Sequence, residues 1–328
     1  MHNSKEMDEK VLDDISTTGL FKYKGTYFDA KYTTPEIIDS VEHINVRDDD
    51  IFLVTYPKSG TIWTQQIIFL ILQESKGNVT DGTDDIAGGL GLEYNVYNVD
   101  FESCPSPRLF LSHLPYYLMP KGLKENKGGK VIYVSKNPKD NVVSSFHVQE
   151  LQESLNDLQM TWGHFFEQFM AGEAPAGLWF DHIRGWYCHK EEFNILFLTY
   201  EEMIQAPKSA VLKMCEFLEI KLDNQAVNRI VEKATFKNMK SDLLDKYKLM
   251  LNGIVGQSKG PFLHKGTIGD WKNIMTVAQS EKIDKAVKEK LEDLPLKFIW
   301  DIDEEMKPFP FLSGDQLQLD IFYLLLTI

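Results

Sequence analysis

Ile51-Phe52-Leu53-Val54-Thr55-Tyr56-Pro57-Lys58-Ser59-Gly60-Thr61-Ile62-Trp63 is the stretch that decides the fold class. Ile51 to Thr55 is a continuous apolar, β-branched run, the pattern of a strand buried on both faces of a parallel sheet. Tyr56 to Gly60 breaks that run, and Thr61 to Gln73 reads as an apolar helix. Gly60 lets the backbone approach a ligand closely. The N–H groups that follow point out of a helix N-terminus, and Lys58, Ser59 and Thr61 add side-chain donors. Together they form a cradle for a phosphate or sulfate. It is not a Walker A loop, in which the lysine follows the last glycine; here Lys58 precedes Ser59-Gly60-Thr61.

Outward from this unit the same alternation continues. Thr34-Pro35-Glu36 opens a helix, with a capping Thr and a Pro in the first turn, where its missing N–H costs nothing. Leu109 to Leu111 is a short strand that runs into Ser112-His113. Val131 to Ser135 is another buried strand, followed by Lys136-Asn137-Pro138 and a helix through Ser144. Phe193 to Leu198 is a fourth strand. Helices are expected over 162–171, 178–190, 207–218, 224–234 and 278–292. Residues 76–91 and 250–270 read as loops, the second punctuated by five glycines. Strands alternating with helices predict one α/β domain, a central parallel sheet flanked by helices with a P-loop-like turn.

Composition narrows the function classes. The chain has 328 residues, 43% apolar and 26% charged, a globular balance. Its formal net charge is −14, which repels polyphosphate backbones and argues against nucleic acid as a partner. An anionic ligand must then be held by a local cluster of donors. Cys104, Cys188 and Cys215 form no CxxC pair, so neither a disulfide framework nor a cysteine-rich zinc site is expected. The eight histidines make no HExxH spacing, and no metal is expected. No apolar run approaches the roughly 20 residues of a membrane helix, and Met1 to Lys10 is too polar for a signal peptide. A cytoplasmic location is the expectation.

Three further segments carry chemistry. Lys136 and Ser144 lie at a strand's carboxyl end and on the helix after it, the edge where ligands gather in open α/β sheets. Phe262-Leu263-His264-Lys265-Gly266-Thr267-Ile268-Gly269-Asp270-Trp271-Lys272-Asn273 places a basic pair near two glycines, suited to closing on an anion. His113, just past a strand, falls at the same sheet edge. A P-loop-type kinase would need a Walker A glycine and a magnesium-binding Asp, and neither is found.

Taken together, the Tyr-Pro-Lys-Ser-Gly-Thr, Asn-Pro-Lys-Asp and Lys-Gly-x-x-Gly-Asp-Trp-Lys-Asn segments resemble the cytosolic sulfotransferase family over about residues 20–305. Segments such as 112–118, 178–187 and 295–301 look most like its amine sulfotransferase branch. The resemblance implies transfer of a sulfuryl group from 3′-phosphoadenosine 5′-phosphosulfate (PAPS) to a small lipophilic amine. The alternatives are a phenol or steroid acceptor, or a non-catalytic nucleotide-binding member of the fold. It implies that Lys58, Ser59, Gly60, Thr61, Ile62 and Trp63 hold the phosphosulfate, with Lys58 neutralising the leaving oxygen. It places Lys136, Ser144, His264, Lys265 and Gly266 at the 3′-phosphate, with Phe262 and Leu263 also in the cofactor site. Tyr200, Ala234, Thr235, Phe236 and Lys237 would contact the nucleoside. His113 matches the general base, and Lys272, Thr276, Val277 and Glu281 match a homodimer motif. Two positions that are usually arginine in the family are Lys136 and His264 here, which removes forked contact to phosphate. A lysine common two residues before the catalytic His is Leu111, read as an apolar wall favouring amines. The domain is expected to span 1–305, with an atypical tail over 306–328.

Overall fold

Five parallel strands set the position of everything that follows. In the computed structural model, which describes residues 19–77, 89–95, 98–125, 127–154, 160–235 and 267–302, β3 (Ile51–Thr55) sits at the centre of the main sheet. On one side it pairs with β5 (Leu109–Ser112), and β5 with the two-residue edge strand β4 (Leu90–Gly91). On the other it pairs with β6 (Lys130–Ser135), and β6 with β7 (Ile195–Thr199). A separate antiparallel hairpin, β1 (Leu20–Tyr23) with β2 (Thr26–Asp29), lies ahead of the sheet in the chain. Neither the hairpin nor β4 was expected from the sequence.

Alternation along the strands divides the core in two. Phe52, Val54, Phe110 and Tyr133 face a layer that includes Phe166 and Phe169 of α5 (Trp162–Ala171) and Trp179, Ile183 and Trp186 of α6 (Trp179–Cys188). Leu53, Leu109, Ile132 and Val134 face the other layer. There α2 (Thr61–Ser75) supplies Ile67, Ile68 and Ile71, α8 (Pro207–Phe217) supplies Val211 and Met214, and α9 (Asn224–Lys233) supplies Val227 and Ile230. Helices thus cover both faces, which is why the strands read as unbroken apolar runs.

The cap expected at Thr34 is present as a bond, and further helix starts are capped by side chains. Thr34 caps α1 (Pro35–Val41), and Asp223 caps α9. Thr276 and Gln279 form a capping box at α10 (Val277–Leu291). Thr199 and Glu202 form a second box, which starts α7 (Tyr200–Gln205) directly after β7. The remaining helices are α3 (Lys121–Glu125) and α4 (Pro138–Ser154). The helix after β6 runs past Ser144 to Ser154, longer than the sequence suggested.

The chain lays down β4 and β5 on one side of β3, then crosses to place β6 and β7 on the other. Helices leaving neighbouring strands on either side of that reversal diverge, and the crevice lies outside the carboxyl ends. Thr55, His113 and Lys136 are all at that edge. The 306–328 tail lies outside the described residues.

Candidate active site

The turn after β3 is held in an unusual backbone shape. Lys58 has φ +66°, left-handed for a residue with a Cβ, and Gly60 has φ +96°. A Cβ at Gly60 would lie 2.7 Å from Cδ2 of Tyr200, so only glycine fits between the turn and α7. Asn141 on α4 ties the turn down: its side-chain amide donates to the Pro57 carbonyl (2.8 Å) and to Ser59 Oγ (3.1 Å). Gly60 then serves as the N-cap of α2 and has no side chain to cap it. The first-turn N–H groups of a 15-residue helix have no acceptor within the helix, and the partial positive charge there favours an anion.

Around this turn the structure brings together most of the described residues singled out in the sequence. Trp63 Nε1 donates to the Ala234 carbonyl at 2.8 Å, and its ring meets Tyr200 edge-on at 5.5 Å. Lys136 Nζ lies 4.6 Å from the centroid of the Tyr200 ring. Lys136 is buried, yet no carboxylate among the described residues forms an ion pair with it. Burial pulls its pKa down, while Asp140, Glu201 and Asp270 push it back up. Ser144 is buried on α4, and Thr235 is exposed just past α9. Phe236, Lys237, Phe262, Leu263, His264, Lys265 and Gly266 lie outside the described residues.

His113 is held by its ring and by its backbone. Nδ1 is 2.8 Å from the Thr55 carbonyl oxygen, and 3.1 Å from Thr55 Oγ1, which in turn lies 2.7 Å from Thr61 Oγ1. A carbonyl only accepts, so Nδ1 carries the proton and Nε2 presents its lone pair. Burial lowers the His113 pKa to about 4; the Thr55 carbonyl opposes that shift and the Lys58 charge adds to it. The ring is therefore neutral at pH 7 and able to take a proton. The Lys58 charge reaches His113, so the turn after β3 and the His113 ring lie close together at the same sheet edge.

The Sulfotransferase domain family matches residues 48–295. This chain belongs to the sulfotransferase family. It is 47% identical over 294 residues to the amine sulfotransferase of Oryctolagus cuniculus, covering 89% of this chain and 97% of that one. It is 39% identical over 286 residues to Sulfotransferase 2B1 of Mus musculus, covering 87% and 84%. Among solved structures, mouse sulfotransferase SULT7A1 complexed with PAP is similar at 30% identity and a TM-score of 0.67, over 84% of this chain and 95% of that one. Retinol dehydratase in a complex with retinol and PAP, 22% identical with a TM-score of 0.69 over 90% and 97%, shares the fold.

Other groups around this candidate site escaped the sequence reading. Glu93, buried beside His113, accepts the His113 backbone N–H at 2.6 Å. His182 on α6 lies with Nε2 3.1 Å from the His113 carbonyl, and the Tyr133 hydroxyl is 3.0 Å from its Nδ1. Glu201 accepts both the backbone N–H and the side-chain amide of Asn137, next to Lys136. No local motif announces these groups; they meet across 20 to 69 residues of chain. Leu111 is placed differently from the expectation. It is buried in the α2-side core, and a Cβ at Gly89 would sit 2.6 Å from its Cγ. It packs beneath Gly89 as core and offers no support for amine preference. In the dimer motif, Lys272 pairs with Asp301 of its own chain, Thr276 caps α10, and Val277 is 75% exposed.

Proposed function

We propose that this sulfotransferase moves the sulfuryl group of PAPS to the nitrogen of a small lipophilic amine. The observation that carries the donor site is Lys136, buried and without an ion-pair partner among the described residues, at the same sheet edge as an uncapped helix N-terminus. A buried cation without an ion-pair partner is costly unless a ligand supplies the anion. The first turn of α2, with Lys58, Ser59 and Thr61, would hold the phosphosulfate. Lys136 and Ser144, with His264 and Lys265, would hold the 3′-phosphate. Trp63 and Tyr200 would flank the nucleoside.

In this reading the amine arrives as an ammonium and loses one proton to water before it attacks. Its lone pair forms the S–N bond as the S–O bond to the phosphate breaks. His113 Nε2 takes the second N–H proton, and Lys58 offsets the charge that gathers on the departing oxygen. One such preorganised donor is worth roughly 10²–10³ in rate, and a positioned base roughly 10²–10⁴. The amine assignment is supported by the 47% identity to the rabbit amine sulfotransferase. The exposed Val277 supports a homodimer through Lys272, Thr276, Val277 and Glu281. A cytoplasmic location is part of the same proposal; among the described residues no helix is long and apolar enough to cross a membrane.

The test is turnover of labelled PAPS against a panel of amines, phenols and steroids. The expected result is the highest kcat/KM on lipophilic amines. Transfer to phenols or steroids with every amine ignored would overturn the acceptor and keep the donor. Absence of transfer with PAP still bound would favour a non-catalytic binder.

A further inference from the structure

Glu93 is a carboxylate in a place where a carboxylate is expensive. It follows β4, and the pairing of Leu90 with Phe110 and Gly91 with Leu111 extends through a bond from the Leu92 N–H to the Leu111 carbonyl. That register brings Glu93 level with His113. The side chain is 1% exposed, Oε1 accepts the His113 N–H at 2.6 Å, and Oε2 has no hydrogen-bond partner among the described residues. Burial raises its pKa to about 7 against the His113 N–H and the Ser112 hydroxyl, both of which favour the charged form. An apolar side chain would pack there without that desolvation cost. Something other than stability must keep it.

The opposite side of the same residue is held in a matching way. The His113 carbonyl can only accept, so His182 Nε2 carries the proton and donates to it, and Nδ1 accepts from the Tyr133 hydroxyl. The two peptide groups of His113 are therefore gripped by side chains from two different elements, β4's end and α6. The ring is gripped by the Thr55 carbonyl from a third, β3. With those three bonds made, the direction of the Nε2 lone pair is fixed.

We propose that Glu93 is a positioning residue for sulfuryl transfer, orienting His113 by clamping its backbone N–H while His182 clamps its carbonyl. The proposal rests on His113 being the base. Glu93 touches neither donor nor acceptor in this role, so its whole effect on rate passes through His113. A misplacement of about 1 Å at a reacting group costs on the order of 10² in rate, which sets the scale.

The experiment is a double-mutant cycle on kcat, with PAP affinity by calorimetry and thermal unfolding measured for every variant. Glu93→Ala is expected to lower kcat about 10–100-fold while PAP affinity and acceptor KM stay within about threefold. Glu93→Gln keeps an oxygen for the His113 N–H and is expected to stay within about threefold of the parent. In a His113→Ala background, Glu93→Ala is expected to cost less than about threefold, because the residue it positions is gone. A parental kcat in Glu93→Ala overturns the proposal, as does an equal loss with and without His113. If Glu93→Ala does not fold, Glu93→Asp, which withdraws the oxygen by one methylene, is compared with Glu93→Gln; equal kcat in those two overturns it as well. A His113→Ala enzyme with parental kcat would instead bring down the base assignment itself.

Discussion

The two ends of the central sheet treat buried charge in opposite ways. At the amino end, Asp50 and Arg108, just ahead of β3 and β5, form a forked pair with both side chains fully buried: Nε to Oδ1 at 2.8 Å and Nη2 to Oδ2 at 2.5 Å. Arg108 also donates to the carbonyls of Phe101 and Asn45, and Asp50 accepts the Arg47 N–H. At the carboxyl end, among the described residues, Lys136 makes no direct ion pair and Glu93 has an oxygen with no hydrogen-bond partner, while His113 and His182 are kept neutral. The same sheet supports both, so topology alone does not explain the difference. A closed charge network at one end joins strands; an open one at the other leaves room for a ligand's charge and a proton in transit. Incomplete pairing at the carboxyl end is the feature that singles it out as the candidate site.

Breaking the open end should damage turnover and spare the fold. His113→Ala is expected to lower kcat by about 10²–10⁴ with PAP affinity nearly intact. Near-parental turnover would remove His113 from the mechanism. Breaking the closed end should do the reverse. Arg108→Met strands Asp50 as an unpaired buried carboxylate, and truncating one partner of such a pair costs about 3–5 kcal/mol. Chemical denaturation should show that loss, while kcat per folded molecule stays within about twofold of the parent. A large kcat loss in folded Arg108→Met would mean that the two ends are coupled and the comparison is wrong.

His182 sharpens the contrast through pH. Burial lowers its pKa to about 3, opposed by its bond to the His113 carbonyl. A base whose folded pKa is depressed contributes stability that is present above its unfolded value, near 6.5, and is lost as pH falls toward the folded value. Glu93 and Glu201 run the other way, because burial raises both to about 7. Their contribution is present below about 4.5 and is lost as pH rises through about 7. A difference measurement cancels terms common to parent and variant. His182→Gln keeps a donor for the His113 carbonyl and an acceptor for the Tyr133 hydroxyl, and does not titrate. At pH 7.5 the variant should be less stable by about 1–2 kcal/mol, because no ring then packs against Tyr56 and Tyr133. Between pH 6 and 4 the parent should lose about 1.4 kcal/mol per unit relative to the variant, so the gap closes and then reverses sign. A gap independent of pH would show that His182 titrates alike folded and unfolded.

What the sequence made legible follows the same division. β3 and β6 were readable because burial on both faces leaves an unbroken apolar run, and the start of α1 because Thr34-Pro35 is a local signal. The turn between β3 and α2 was readable because Tyr56 to Gly60 interrupts the apolar run. β4 is two residues long and exists only by pairing with β5. The β1–β2 hairpin turns at Lys24-Gly25, a weak signal. Glu93, His182 and Glu201 look like ordinary residues in ordinary segments; burial and contacts distant in sequence give them meaning. Leu111 shows the limit of counting alternate positions along a strand. Alternation sorts side chains by face, and only packing shows that this one ends in the core under Gly89.

The mildest test exchanges the shape of one cation. At the closed end, Arg108 uses its planar fork on Asp50; at the open end, Lys136 brings a point charge against the Tyr200 ring, 4.6 Å from its centroid. A guanidinium stays charged when buried and grips a phosphate with two parallel bonds, whereas an ammonium is desolvated at greater cost. It also stacks on an aromatic ring at least as well. If Lys136 faces the 3′-phosphate, Lys136→Arg should tighten PAP binding by about 3–10-fold, worth roughly 1 kcal/mol. Lys136→Met should weaken binding by more than that, because the anion loses its counter-charge in a buried place. The opposing term is volume: Lys136 is 7% exposed, and a longer, wider head must fit beside Tyr200 without moving Gly60, which has no spare room. Weaker binding in the arginine variant with an unshifted unfolding temperature would mean that the fork points away from the phosphate. Equal affinity in parent, arginine and methionine proteins would take Lys136 out of the donor site, and the open end of the sheet would need another anion to explain it.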